Sequence, residues 1–364
     1  MLSFQVVRNQ TQTKRESVKR ICVYGGHYGS EGKGGAAEFI IRNWLPGGEP
    51  VAVFGEPGPN SGHTCSRGKV SNLPASSFFA DYVVLGPDSA VSLAQLDLDL
   101  SEVRKSNPRL VVYIHENAAL VLDAHRHYEQ FMLVDSISST GSGNGAARMD
   151  KNFHRLQSAV IGCLTEEGRQ HLPFGVHILN RFQYLAKLAE LEKHHWMFEC
   201  SQGALLDNSW GIYPYVTSRC TLPRVAIERN GLGGNSWEYV GVYRTYPIRT
   251  GGPSGPTGER EIQFEDLGVE PEIATVTKRK RRIFKFSPDD FALSLMLTRP
   301  DIIMFTHGDY LIETYRQVGV QLAADSFYDW ITEETHSLGS RPTYVSFEPG
   351  KFVQVKSPFK SVIA

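Results

Sequence analysis

The sequence is short of several things, and each shortage closes off a class of function. Among its 364 residues there are five cysteines, at positions 22, 65, 163, 200 and 220, and none forms a Cys-x-x-Cys pair. That leaves no disulfide frame and no zinc-ribbon spacing. The usage is that of small buried thiols in a cytosolic protein, with Cys22 inside an apolar strand-like run. No apolar stretch approaches the length of a membrane span, and the N-terminus has no signal-peptide core, so the expectation is a cytoplasmic protein with no membrane partner. Charge of one sign is also missing. Lys plus Arg number 38 against 39 Asp plus Glu, a formal net charge of -1, which argues against a surface that coats nucleic acid while leaving a local patch open. There is no internal repeat. A hydrophobic share of 41% and a charged share of 21% are ordinary for a globular chain, and the length suits one large α/β domain or two modest ones.

What is present is glycine in particular places. Ile21-Cys22-Val23-Tyr24 reads as a strand; Gly25-Gly26-His27-Tyr28-Gly29-Ser30-Glu31-Gly32-Lys33-Gly34-Gly35 is a glycine-rich bend with one lysine; residues 36–44 read as a helix. This is the layout of a phosphate-binding loop, in which backbone N–H groups, a helix N-terminus and an ammonium converge on an anion. The spacing is not the standard one. Gly26 to Gly32 is a longer interval, and Gly34 stands where a P-loop carries its Ser or Thr. On these residues alone a glycine-rich strand-to-helix turn is the other reading.

Residues 1–20 read as a polar leader, and 21–364 as a single α/β domain. Val51 to Gly55 is a second buried-strand pattern, ending in Glu56-Pro57-Gly58-Pro59-Asn60-Ser61-Gly62-His63-Thr64, a rigid loop delivering one histidine. Tyr82 to Leu85, Leu110 to Ile114, a run starting at Trp196, and Ile302 to Phe305 continue the pattern. Apolar runs separated by helix-length segments predict a large, mostly parallel central sheet flanked by helices, with ligands at the carboxyl ends of its strands. Ser136 to Asp150 is rich in small polar residues, suited either to an anion or to a mobile linker. Phe182 to His195 predicts a helix with Leu185, Leu188 and Leu191 on one face; His194 and His195 lack a partner at metal spacing and read as exposed or capping residues. Tyr246 to Pro256, around Arg249, reads as a substrate-side loop. Lys278-Arg279-Lys280-Arg281-Arg282 is either a solvated basic patch or a set of cations turned toward small anions, and its place deep within the domain favours the second. Asp309, after the late strand, either accepts from a nucleobase or caps the following helix.

With these motifs in order, the chain resembles the adenylosuccinate synthetase family. The family's Gly-Asp-Glu-Gly-Lys-Gly is answered by Gly29-Ser30-Glu31-Gly32-Lys33-Gly34, its Asn-Ala-Gly-His-Thr by Asn60 to Thr64, and its Glu-Gly-Ala-Gln-Gly-x-Leu-Leu-Asp with Tyr-Pro-Tyr-Val-Thr-Ser by Glu199 to Asp207 and Tyr213 to Ser218. Thr140 to Gly145, Thr277 to Arg282 and Thr306 to Asp309 match its remaining loops, so the resemblance runs from about residue 21 to about 350. It implies a synthetase-like α/β fold with a P-loop-like N-terminal turn. It also implies a ligase that phosphorylates the 6-oxygen of a purine nucleotide and then displaces phosphate with the amine of L-aspartate. The chemical need is plain, since an amide-like oxygen leaves poorly until it carries a phosphoryl group.

By the same resemblance, Ser30, Lys33, His63 and Gln202 form the catalytic set, with His63 as the acid and Gln202 orienting the 6-oxygen. Ser30, Asn60, Thr140, Gly141, Arg155, Gln202 and Thr217 hold the acceptor nucleotide, and Thr277, Arg279 and Arg281 take aspartate. Gly29, Glu31, Gly32, Lys33, Gly34, Gly62, His63, Thr64, Arg281, Thr306, Asp309 and Gly350 take the donor triphosphate. Mg2+ is the implied cofactor, near Ser30 and the carbonyl of Gly62. The family works as a homodimer that lends an arginine across its two-fold axis; that position falls on His154 here, with Arg155 beside it.

Two departures matter. Ser30 replaces the aspartate that serves ordinary members as base toward N1 of inosinate, and serine has no comparable basicity. Its shorter, neutral side chain opens the purine's N1–C2 edge, which resembles the phage-type branch that takes deoxyguanylate (dGMP) and makes 2-amino-2'-deoxy-N6-succinyladenylate toward 2,6-diaminopurine DNA. In that setting the protein would work in the host cytoplasm. His307 replaces the guanine-reading lysine, which favours ATP or dATP over GTP as donor. The rival readings are an ordinary synthetase acting on inosinate (IMP), a non-catalytic nucleotide-binding regulator, and a basic module that binds nucleic acid; the charge balance disfavours the last.

Overall fold

A computed structural model describes residues 18–47, 49–274, 277–311, 319–335 and 341–355. The leader expected at 1–20 falls mostly outside these residues, as do Thr275 and Val276 ahead of the basic run. The main sheet has ten strands: β1 (Arg20–Gly25), β2 (Val51–Gly55), β3 (Tyr82–Leu85), β4 (Val111–His115), β5 (Val176–Leu179), β6 (His195–Gly203), β7 (Glu238–Arg244), β8 (Ile302–Thr306), β9 (Thr343–Glu348) and β10 (Lys351–Val355). They lie in the order β10-β9-β8-β7-β1-β6-β2-β3-β4-β5, every pair parallel except the β9–β10 hairpin.

Alternate residues of the central strands enter different cores, as the period of two requires. Ile21 and Val23 of β1, Val53 of β2 and Met197 of β6 face one side, with Ala36, Ala37 and Ile40 of α1 (Lys33–Trp44). Cys22, Tyr24, Phe54 and Phe198 face the other, with Tyr184, Leu188 and Leu191. Both faces are apolar, which is why these strands read as unbroken hydrophobic runs. Two further helices used below are α2 (Asp123–Met132) and α3 (Arg181–Leu191).

Three local expectations are corrected. The inward face of α3 is Tyr184, Leu188 and Leu191, while Leu185 is 57% exposed, because Tyr184 puts a larger apolar surface on the i, i+4, i+7 stripe. That helix ends at Leu191, so His194 and His195 are not helical. Both are buried: His195 opens β6 and accepts the Lys19 N–H at 3.1 Å, and His194 packs edge-on to Tyr82. Of the cysteines, Cys22 and Cys200 are buried as expected, but Cys65, Cys163 and Cys220 are only half-buried.

β1 and β2 flank β6, and these strands and β8 all run the same way, so the loops after β1, β2, β6 and β8 open at one end of the sheet. A small antiparallel sheet (248–249, 282–284 and 261–262) sits over that end with its own cluster of Ile248, Phe264 and Ile283.

Candidate active site

The bend after β1 is organised by Glu31. Its buried carboxylate accepts the N–H groups of His27 at 3.2 Å and Gly29 at 2.7 Å on Oε1, and its Oε2 meets Lys33 Nζ at 2.8 Å. Burial alone would raise this carboxyl; the Lys33 ammonium outweighs it and holds the group below its ordinary value. Helix α1 starts at Lys33, earlier than expected, because Gly32 turns left-handed at φ 81 and serves as its N-cap. Gly34 stands where a P-loop has a hydroxyl because the strand His63–Cys65 crosses it: a Cβ there would lie 2.3 Å from the Thr64 carbonyl oxygen. The unpaired N–H groups of the first helical turn and the two spare protons of Lys33 remain as anion donors. Glu31, expected beside the donor nucleotide, turns its carboxylate inward and holds the loop. Gly29 and Ser30 follow with φ 92 and φ 58, and the Ser30 carbonyl accepts from Arg244 Nη1 at 3.1 Å.

His63 is buried with Nδ1 2.7 Å from Glu199 Oε1, while its Nε2 is buried without a partner. Glu199 also accepts the Ser76 N–H at 2.9 Å, the Ser76 hydroxyl at 2.7 Å and the Ala75 N–H at 3.2 Å. Burial opposes its charge, but the His63 hydrogen bond and those donors hold it below the usual carboxylate range. An acceptor so placed fixes the proton on Nδ1 and leaves Nε2 as the chemically available nitrogen. Gln202 sits at the end of β6 with φ 68, and its Nε2 donates to Ser61 Oγ at 3.2 Å.

A cavity of about 450 Å³ adjoins these groups. Its lining unites Asn60, Thr140, Gln202 and Thr217, four residues expected to hold the acceptor. Gly141 lies behind it, where a Cβ would press on Gln130 of α2 at 3.0 Å. Arg155 is exposed, with φ 54, outside that lining. Sequence reasoning missed Tyr28 and Glu129 in the wall. Tyr28 donates to Asp290 at 2.8 Å and carries the Arg249 guanidinium over its ring at 4.7 Å; its position next to Gly29 was the available signal. Glu129 offered none. The segment 136–150 is no linker: Ser142, Asn144 and Arg148 are buried, the short helix Asn144–Met149 ends the loop, and Ser138, Ser139 and Thr140 line the cavity.

The basic run is more committed than expected. Arg282 pairs with Glu261, Lys280 with Glu265 at 3.1 Å and Arg281 with Glu272 at 3.7 Å. Arg279 is left beside Ser138 of the cavity wall, around Gly252, and Thr277 Oγ1 is buried without a partner. Glu272 also pairs with Arg244 and accepts from Tyr310 at 3.0 Å; against the cost of burial, Arg244 takes its carboxyl down to about 2. Desolvation, then Arg244, holds the His307 imidazole neutral, down to about 3. The Thr306 hydroxyl is spent on the carbonyls of Glu31 at 2.9 Å and Tyr243 at 3.2 Å, which ties β8 to the phosphate loop rather than leaving it for a ligand. Asp309 lies in the turn of helix Gly308–Leu311, and the Gly350 N–H approaches the first turn of α1 at Gly35. Gly62 and Thr64 are exposed on the same rim.

The family model described as adenylosuccinate synthetase matches residues 173–335. The N6-succino-2-amino-2'-deoxyadenylate synthase of Cyanophage S-2L is 33% identical over 279 residues, 71% of this chain and 74% of that protein. The chain belongs to the adenylosuccinate synthetase family. Within it the chain stands with the phage branch: the same-named enzyme of Salmonella phage PMBT28 is 29% identical over 327 residues, covering 80% of this chain and 86% of that one. Among solved structures, the Cyanophage S-2L succinoaminodeoxyadenylate synthetase bound to dGMP and dATP superposes with a TM-score of 0.76 at 28% identity, over 94% of this chain and 97% of its own. Family membership makes the protein a nucleoside-triphosphate-dependent carbon–nitrogen ligase. No described helix is long and apolar enough to cross a membrane.

Proposed function

We propose that this protein joins L-aspartate to C6 of dGMP, at the expense of ATP or dATP, through a 6-phosphoryl intermediate. The observation that carries the acceptor assignment is Ser30. At the position of the family's carboxylate base it places a neutral, short side chain on an exposed left-handed bend, and the smaller group leaves room for a 2-amino group at the purine's N1–C2 edge. The kinship with the S-2L enzyme, which binds dGMP and dATP, points the same way.

In this reading Lys33 and the N–H groups of the α1 N-terminus steady the transferring phosphoryl group. His63, its Nδ1–H held by Glu199, acts through Nε2 as hydrogen-bond donor and acid when protonated. Gln202 orients the 6-oxygen, Asn60, Thr140 and Thr217 hold the monophosphate, and Thr277 with Arg279 receives aspartate. His307, kept neutral, replaces a fixed cation beside the donor base, which suits adenine better than guanine. Mg2+ fits as an ion carried mainly by phosphate. The described residues hold no cluster of three His, Cys, Asp or Glu, and the Ser30 hydroxyl and Gly62 carbonyl are hard but neutral oxygens, so triphosphate oxygens and water would complete its shell. Bound there, it would neutralise charge on the phosphates. The protein's own share is to hold those oxygens and keep Lys33 aimed.

A single α/β domain acting as a cytoplasmic homodimer completes the proposal. Its support is an exposed apolar face on α2 and the segment after it, with Phe131 87% and Phe153 76% exposed beside Tyr128, Met132 and Leu156. Arg155 lies next to that face, placed to serve a partner's pocket; sedimentation as a monomer at assay concentration would remove this part.

The deciding assay measures phosphate release with dGMP or inosinate as acceptor, each with aspartate and Mg2+, and with GTP, ATP or dATP as donor. Faster turnover of dGMP with an adenine donor is expected. Faster turnover of inosinate would make the protein an ordinary adenylosuccinate synthetase, and nucleotide binding without aspartate-dependent turnover would make it a regulator.

A further inference from the structure

Glu129 is 3% exposed, comes from the middle of α2, and has no part in the chemistry above. Its Oε2 accepts the N–H of Gly143 at 2.8 Å, and its Oε1 accepts those of Gly145 and Ala146, the latter at 3.2 Å. The same side chain lines the acceptor cavity beside Thr140, Asn144 and Gly145. The loop is seated on α2 too closely for side chains: a Cβ on Gly143, at φ 81, would lie 2.9 Å from the Arg126 nitrogen and 3.0 Å from His125 Cβ. Three of the donors that looked, from sequence, ready for a ligand anion are therefore already taken by a carboxylate of the protein.

We propose that Glu129 is a positioning residue for the acceptor nucleotide: it fastens the 140–146 loop to α2 and so sets the place of the Thr140 hydroxyl in the cavity. With those three N–H groups occupied, the acceptor's phosphate is met by hydroxyls such as those of Thr140 and Thr217 rather than by the N–H groups of Gly143, Gly145 and Ala146. This rests on the reading that the cavity takes the monophosphate.

The test is steady-state kinetics with whichever monophosphate the unaltered enzyme turns over fastest. Glu129→Gln keeps the shape but sets an NH2 group against a backbone N–H, removing one hydrogen bond. The expected result is a rise in KM for the monophosphate of about tenfold, the worth of one such bond, with KM for aspartate and for the triphosphate held within about twofold. Gly143→Ala, which lifts the loop from α2 without touching the carboxylate, should reproduce that selectivity and provides the answer if the first variant does not fold. An unchanged monophosphate KM, an equal rise for all three substrates, or an effect in Glu129→Gln absent from Gly143→Ala would overturn the proposal. If the unaltered enzyme turns over no monophosphate, the functional reading fails instead.

Discussion

Two glycine-rich loops meet at the carboxyl end of the sheet, and each is organised by a buried glutamate. In the first, Glu31 lies inside its own loop. It takes the N–H groups of His27 and Gly29 and is neutralised by Lys33, two residues away. In the second, Glu129 arrives from a neighbouring helix, takes three N–H groups 14 to 17 residues downstream, and pairs with no cation among the described residues. The first arrangement binds a charge pair whose positive member has protons to spare, so the loop still presents a cation to an anion. The second spends three of its donors on its own carboxylate, so what that loop presents is chiefly hydroxyl and shape. One solution suits a phosphoryl group that moves; the other suits a phosphate that must only stay in place.

The contrast is sharpest in what breaking each carboxylate should do. Glu31→Gln leaves the Lys33 ammonium, 7% exposed, without its partner, and removing one member of a buried pair costs about 3–5 kcal/mol. Unfolding by denaturant should register that loss, together with a fall in phosphate release, since the loop that aims Lys33 is no longer held. Glu129→Gln removes a hydrogen bond to neutral backbone and strands no opposite charge, so its stability loss should be smaller, about 1–3 kcal/mol. Equal losses in the two variants would show that the loops are held in the same way.

The same contrast explains how much of the molecule was legible in the sequence. Strands such as Val51–Gly55 and Tyr82–Leu85 were readable to the residue because both their faces are apolar and their ends are marked by turns. The first loop was readable too: glycines, lysine and glutamate lie within one short stretch, and Asn60 to Thr64 and Gln202 carried the rest. The inward turn of the Glu31 side chain was not legible, because sequence does not say whether a polar side chain faces ligand or loop. The second loop defeated sequence reading because its anion lies on another element. Likewise Arg244, which ties Ser30 to Glu272, sits at the end of a buried strand with nothing nearby in sequence to mark it. Leu185 and the two adjacent histidines were misplaced for a related reason. Which of Tyr184 and Leu185 points inward is decided by the sheet the helix packs on, and the contacts of His194 with Tyr82 and of His195 with Lys19 hold the two histidines beyond the helix end.

The loops differ finally in what roots them. The first is anchored by His27, whose backbone N–H goes to Glu31 while its ring sits between Tyr243 and Phe286, with Nδ1 accepting the Arg244 N–H at 3.3 Å. Burial among aromatic edges lowers this imidazole from 6.5 to about 4, so the folded protein holds it neutral where the unfolded chain would protonate it. Its contribution to stability is therefore complete above pH 6.5 and is lost as pH falls from 6.5 towards 4, with a slope of at most about 1.4 kcal/mol per pH unit. His27→Gln, neutral throughout, should unfold at nearly the same denaturant concentration at pH 5 as at pH 7 so far as this site is concerned, whereas the unaltered protein loses stability over that interval. The Glu272 carboxyl, held down to about 2, adds acid sensitivity only below its ordinary range, near pH 4.5. His307 and His115, also lowered by burial, lose the same stability in both proteins, so over the interval from pH 7 to 5 the difference between the two proteins isolates His27. A parallel shift of both proteins across it would mean that His27 is protonated within the fold, and that the first loop is rooted by charge rather than by the exclusion of it.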